Sequence, residues 1–344
     1  MQANGWTNLQ LVESFDARWL AHRFDEAADQ IRFVEYDRGE RREVPFLTDD
    51  YLPAKPFRAL GRDEARAAAP ADSPIHMIFH SGFCCSTLLA SCFDQPGLAT
   101  NFSEPMILND IVGWRQRGAA PAAVGRLLDD ALALLARPFA GDQASIVKPS
   151  TVVNGLAAAM LRLRPTAQAI FIYAPLRHFL ISIAKKGIDG RLWGRELLFA
   201  MRREGLTERL GISDEELFRQ TDLQAAASAW LGQQVLFAGL RQSVGDRLTI
   251  VSSDKFLKEP EETLRRAAQQ FGLQIETRHI DHAMSVTMNR NSKDSSAYSR
   301  SDRDADYQSA ESAHRDEIEK VCAWASVVVQ TMELPLAEAA ALSG

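Results

Sequence analysis

The stretch that most limits what this chain can fold into is a strand, a short loop and a helix in direct succession: IHMIF (75–79), HSGFCCST (80–87) and LLASCF (88–93). A short run with four apolar residues in five, bounded by loop residues, fits a strand buried on both faces, and such strands belong to parallel sheets. A short loop from that strand into a helix aims several backbone N–H groups at one spot. The helix dipole adds positive potential there. Ser86 and Thr87 place two hydroxyls at the helix start. The arrangement suits a phosphate. It is not a Walker A loop, which needs GxxxxGK followed by Ser or Thr. Cys85 stands at the second glycine and Ser86 at the lysine. On the loop alone, an ordinary strand-to-helix turn is the alternative.

The rest of the interior repeats the strand–helix alternation. SIVK (145–148), QAIFIYA (168–174) and RLTIVSS (247–253) read as further strands. APAAVGRLLDDALALLA (119–136), STVVNGLAAAMLRL (150–163, capped by Ser150) and LRHFLISIAKKG (176–187, stopped by Gly187) read as helices. In EPEETLRRAAQQFG (259–272), Pro260 suits the first helical position and Gly272 the residue just past the end. The expected fold is α/β: a P-loop-type three-layer α/β/α arrangement, with a mostly parallel central sheet and extra helices.

With 344 residues, one large domain or about two of roughly 150 residues are expected. Residues 1–70 read as a β-rich extension packed on a main domain of 71–344. Within the extension, IRFVEYD (31–37) is a strand, Asp37 to Gly39 a turn, and RREVPFL (41–47) a returning strand. FLTDDYLPAKPF then runs as loop, and RDEARAAAPADSP is a short helix with a breaker. Residues 188–242 read as a helical insertion, 289–309 as a polar, lid-like loop, and about 312–333 as a final amphipathic helix.

Composition closes off several classes. Hydrophobic residues make up 46% of the chain, enough for a sizeable core. The net charge is −6 with no long basic run, which argues against a nucleic-acid partner. No apolar run reaches the roughly 18 residues of a transmembrane helix, and the N-terminus lacks a signal peptide's basic and apolar regions. The four cysteines, Cys84, Cys85, Cys92 and Cys322, form neither a disulfide framework nor a CxxC zinc pair, as expected of reduced thiols in a cytoplasm.

Several motifs recur together in an order that resembles the sulfotransferase family, specifically its divergent bacterial branch. Cys84-Cys85-Ser86-Thr87 falls on the family's SGTT phosphosulfate loop, and Leu88-Leu89 continues it. FSEP (102–105) stands where the tyrosylprotein and bacterial branches carry a glutamate. VKPS (147–150) stands where the family carries a lysine. YAPLRHFLIS (173–182) stands where the family carries an arginine followed eight residues later by a serine. TIVSSDKFLKEPEETLRRAAQQFGL resembles a further family segment, so the resemblance spans about 75–275. The chain departs from the pattern at two cations. Phe83 replaces the basic residue before SGTT, and Ala174 replaces the arginine, while the serine survives as Ser182.

The resemblance implies sulfuryl transfer from 3′-phosphoadenosine 5′-phosphosulfate to a hydroxyl or amine of a small-molecule acceptor, with no metal. Gly82, Phe83, Cys84, Cys85, Ser86 and Thr87 would hold the 5′-phosphosulfate and Ser182 the 3′-phosphate. Lys148 would stabilise the bridging oxygen and Glu104 would take the acceptor's proton. Arg177, Lys185 and Lys186 are the cations that could replace those missing. Lys293 and Arg300, in the polar 289–309 segment, would close over the nucleotide. Each residue has a plainer alternative. Lys148 could be a strand-end surface lysine, Glu104 a helix-start charge, His80 a structural loop histidine, and the cysteines packing. Trp193 and Trp230 suit the core or a pocket wall. A non-catalytic nucleotide-binding member of the fold and a P-loop kinase or hydrolase stay open, as do the acceptor and the oligomeric state.

Overall fold

The computed structural model describes residues 16–67, 69, 73–289 and 300–342. Its centre is a five-stranded sheet in the order β5-β6-β4-β7-β8. The strands are β4 (Ile75–His80), β5 (Ala99–Ser103), β6 (Ala144–Lys148), β7 (Ala169–Tyr173) and β8 (Leu248–Ser252). Every pairing among them is parallel. β4, β6 and β7 are buried at every position, because helices cover both faces of the sheet. The Asp222–Val244 helix, for example, lays Phe237 flat on Phe171 of β7, with ring centroids 3.9 Å apart. The expected class, α/β with a parallel sheet flanked by helices, is the one observed.

Chain order fixes where a ligand can enter. From central β4 the chain moves outward to β5 and returns to β6, then crosses β4 to β7 and β8. The connections therefore diverge at β4. A crevice opens at the carboxyl ends of the strands at such a switch point. The 81–85 loop, Glu104 and Lys148 all sit at those ends.

β1 (Trp19–Asp25), β2 (Gln30–Glu35) and β3 (Phe57–Gly61) form a separate antiparallel sheet. The returning strand expected at 41–47 is absent. Arg38–Arg42 is instead a short helix, because Asp37 accepts the Glu40 N–H while the Glu40 carboxylate accepts the Asp37 N–H, each at 2.9 Å. This part is tied to the main sheet by Leu47 N–H, which donates to the Ser103 carbonyl at 2.8 Å, and to the following helix, Met106–Gln116, by Arg23 on Asp110 at 2.9 Å.

Three further expectations change. Ser150 caps nothing with its side chain; it donates to Asn109 Oδ1 at 2.6 Å, and the helix it precedes opens as a 3₁₀ turn over Thr151–Leu156. The polar segment expected as loop is helical from Arg300, within one helix of Arg300–Thr331, so the last helix begins earlier than 312. Residues 188–242 are helical as expected, in Gly187–Arg203, Asp214–Arg219 and Asp222–Val244. Among the described residues no helix is long and apolar enough to cross a membrane.

Candidate functional site

The loop after β4 is built from unusual backbone. Gly82, Phe83 and Cys85 all have positive φ, at 84°, 50° and 62°. Consecutive left-handed residues turn backbone N–H groups toward one concavity, which suits an anion. Such conformations cost energy in non-glycine residues, so the surroundings must hold them. His80 accepts the Gly82 N–H at Nδ1 (3.1 Å) and donates from Nε2 to the Pro149 carbonyl (3.0 Å). Both nitrogens are thus committed to a neutral ring. Burial, and then the nearby Lys148 charge, push its pKa well below the ordinary histidine value. Asn154 donates to the His80 carbonyl at 2.9 Å and to Gln233 at 2.8 Å, and Gln233 donates to the Ser81 carbonyl at 3.2 Å. Cys84 is buried and its thiol donates to the Ile172 carbonyl at 3.2 Å. The loop therefore rests on a hydrogen-bonded polar bed, to which His80 and Cys84 belong and in which Asn154 Oδ1 has no partner among the described residues.

Gly82 is the position where only glycine fits. Besides its φ of 84°, a Cβ there would lie 2.8 Å from the Trp193 ring. Ser86 and Thr87 open the following helix, Ser86–Phe93. No side chain caps that helix, and its Ncap residue is the left-handed Cys85. Its first N–H groups are therefore not taken by a side-chain cap.

Register brings the two candidate catalytic residues together. In the parallel β5/β6 pair, Ser103 stands opposite Lys148, so Glu104 is the first residue beyond that rung. Glu104 N–H donates to the Lys148 carbonyl at 2.6 Å, and its own φ is +50°. Its carboxylate meets Lys148 Nζ at 2.5 Å. Lys148 has no exposed side-chain surface, whereas Glu104 keeps 17%. The glutamate faces the crevice and the lysine lies behind it. Phe46 lies over Lys148, with Nζ 4.9 Å from the ring centroid, and Tyr51 packs edge-on against Phe46. His80 Nε2 is 3.8 Å from Glu104.

These groups share one open cavity of about 400 Å³. The 82–87 loop forms one side, with Glu104 and Lys148 on another. Phe46 and Tyr51 come from the N-terminal part, and Lys186, Asp189, Gly190 and Trp193 from the far helices. Trp193 meets Phe83 edge to face at 4.8 Å. The cavity brings together a loop of left-handed backbone, a carboxylate and an ammonium within one small, aromatic-walled space.

No family model and no curated protein matches this sequence. Solved structures do. The chain is similar to the sulfotransferase domain from the curacin biosynthetic pathway, at 11% identity and a TM-score of 0.37, over 71% of this chain and 98% of that one. It is similar to sulfotransferase STF9 from Mycobacterium avium, at 12% identity and a TM-score of 0.42, over 73% and 78%. A third is the sulfotransferase domain of the Synechococcus PCC 7002 olefin synthase, at 15% identity and a TM-score of 0.35, over 67% and 83%.

Other expected site residues lie elsewhere. Arg177 does not line the cavity. It pairs with Glu311 at 2.8 Å and Glu319 at 3.6 Å on the last helix, and the Glu311 hydrogen bond raises its pKa. Ser182 sits on the same helix as Arg177 and donates back to the His178 carbonyl at 2.9 Å. Neither reaches the loop. Lys293 lies outside the described residues, and of Arg300 only the helical backbone is described. Trp230 is buried and donates to the Ala174 carbonyl at 2.9 Å. Phe46 and Tyr51 carry no motif; only the fold back of the N-terminal part onto Ser103 brings them in.

Proposed function

We propose that this chain is a sulfuryl transferase, moving a sulfuryl group from 3′-phosphoadenosine 5′-phosphosulfate to a hydroxyl or amine of a small acceptor. The observation that carries the reading is the Glu104–Lys148 pair facing a left-handed, N–H-rich loop across one cavity. The 5′ end of the donor fits that cradle. The donor, when bound, supplies a sulfuryl group whose S–O bond to the 5′-phosphate breaks as the acceptor oxygen bonds to sulfur, leaving adenosine 3′,5′-bisphosphate.

The protein's part is positional and electrostatic. Glu104, the exposed member of the pair, takes the acceptor's proton. Lys148 holds the carboxylate oriented beforehand through their hydrogen bond. As Glu104 becomes neutral, the Lys148 charge is no longer balanced and acts on the oxygen that takes up the bonding electrons. N–H groups of 83–87 share that charge, while the Gly82 N–H stays on His80. Neutral His80 adds no charge; it keeps the loop in shape through Gly82. Phe46, Tyr51, Phe83 and Trp193 keep water from competing with the acceptor.

Titration calorimetry tests this. Adenosine 3′,5′-bisphosphate is expected to bind in the micromolar range in buffer containing a chelator, and Mg-ATP to bind more weakly. Preference for Mg-ATP would point to phosphoryl transfer, and binding of neither to a scaffold role.

A further inference from the structure

We propose that Lys186, seated on the Phe83 ring, is the mobile cation that neutralises the anionic group bound by the 82–87 loop. The inference rests on the sulfuryl-transfer reading, which sets the ligand as a phosphosulfate or phosphate.

A count of charges around the cavity leads to it. The lining carries two carboxylates, Glu104 and Asp189, and two ammonium groups, Lys148 and Lys186. His80 is neutral, its two ring nitrogens both engaged. Lys148 is fully buried and committed to Glu104. The loop itself, Gly82-Phe83-Cys84-Cys85-Ser86-Thr87, contains no cation. Among the described residues, Lys186 has no carboxylate within 4 Å. Among the described residues, an anion entering the loop's cavity therefore meets one uncommitted cation, Lys186. Without it, the lining would be net negative through Asp189.

Local structure aims Lys186 at the cavity. It is the residue between two helices, Leu176–Lys185 and Gly187–Arg203. Gly187 turns the chain with a φ of 60°, which favours glycine. Gly190 lets the second helix start hard against the first; a Cβ there would fall on the Ile183 carbonyl oxygen. The fold-back puts Lys186, Asp189 and Trp193 on the rim.

Phe83 supplies the seat. Lys186 Nζ is 5.8 Å from its ring centroid. The Phe83 ring is in turn steadied by Trp193 and by Phe179, 6.2 Å away. A cation–π contact at an exposed site is weak, whereas an ammonium–phosphate hydrogen bond is charge-assisted and stronger. Lys186 can thus leave the ring for the anion at little cost and return when the product departs. Phe83 parks the cation beside the loop rather than carrying charge itself.

The test is calorimetric titration of adenosine 3′,5′-bisphosphate, whose 5′-phosphate occupies the same cradle, into the full chain and its K186M, K186R and F83L variants. K186M is expected to bind on the order of tenfold more weakly and with a shallower salt dependence. K186R is expected to stay within about threefold of the parent, since it keeps the charge. In an F83L background, K186M is expected to lose at least as much as it does alone, since the ring contact that Lys186 gives up on binding is already gone. If the parent binds and K186M matches it, the inference fails while sulfuryl transfer stands. If K186M loses clearly less in the F83L background, Lys186 stays on the ring in the bound state and the inference fails in that form. If the parent does not bind the bisphosphate, the sulfuryl-transfer reading fails and this inference with it.

Discussion

Lys148 Nζ and Glu104 Oε1 lie 2.5 Å apart because β5 and β6 end side by side, one rung past Ser103. A fully buried ammonium beside a carboxylate is stable only as a pair. Replacing Glu104 with Leu leaves the ammonium alone and is expected to cost about 3–5 kcal/mol in urea unfolding. The E104L/K148M double variant should recover a large part of that loss. Equal losses in the single and double variants would show that the pair does not couple. The milder E104Q variant should fold and have negligible sulfuryl transfer.

The left-handed backbone at Gly82 makes a second prediction. Gly82→Ala adds a Cβ at a φ of 84° and within 2.8 Å of Trp193. Backbone strain alone is expected to cost about 1–2 kcal/mol. Bisphosphate binding should weaken in parallel. W193L in the same background should relieve the clash but not the strain, so stability is only partly restored. Full restoration would mean the backbone tolerates alanine and the loop is not strained there.

Acid should destabilise the fold through buried histidine. His76, on β4, packs on Phe271 at 5.2 Å and accepts the Gln168 N–H at Nδ1. Burial lowers its pKa from 6.5 to about 4. The unfolded chain therefore binds a proton that the native ring refuses. Its contribution is whole above about pH 6.5 and is lost as pH falls towards 4, by on the order of 3 kcal/mol. His80 acts with the same sign. H76N keeps an acceptor for Gln168 and should flatten the urea midpoint against pH over that window. An unchanged slope in H76N would assign the effect to other groups.

Arg177 offers a contrast. Its guanidinium is held by Glu311 and Glu319, away from the cavity. R177M is expected to cost under about 1 kcal/mol of stability, as partly exposed ion pairs do. Bisphosphate affinity should stay within about twofold, which is under 0.5 kcal/mol. A tenfold loss would show that Arg177 leaves the last helix to meet the nucleotide.

Much of the central sheet was legible along the chain. β4, β6, β7 and β8 lie within a residue or two of the apolar runs that announced them, and Pro260 and Gly272 bound their helix as expected. β1, β3 and β5 escaped notice. WLAHRFD, FRALG and ATNFS carry polar or charged residues; β1 is made extended by its hairpin with β2, and β3 and β5 by pairing with strands dozens of residues away. The short Arg38–Arg42 helix stands where the sequence reads as a turn at Asp37–Gly39 and a strand returning from residue 41, and the Asp37–Glu40 capping box decides it.

For the candidate site, the division follows the range of the forces. Local chemistry along the sequence determined the phosphate-suited loop, the strand ends and the residue types available at them: Thr87, Glu104 and Lys148. Dihedral preference, hydrophobic period and capping act within a few residues, so they can be read there. The partnerships were decided by the tertiary structure. Parallel register joined Glu104 to Lys148, and helix packing gave Arg177 to Glu311. The Gly187 turn brought Lys186 over Phe83, and the first sheet's docking on Ser103 brought Phe46 over Lys148. Charges and rings meet partners dozens of residues away only once the core has closed, and which charge remains free is a property of that closed arrangement.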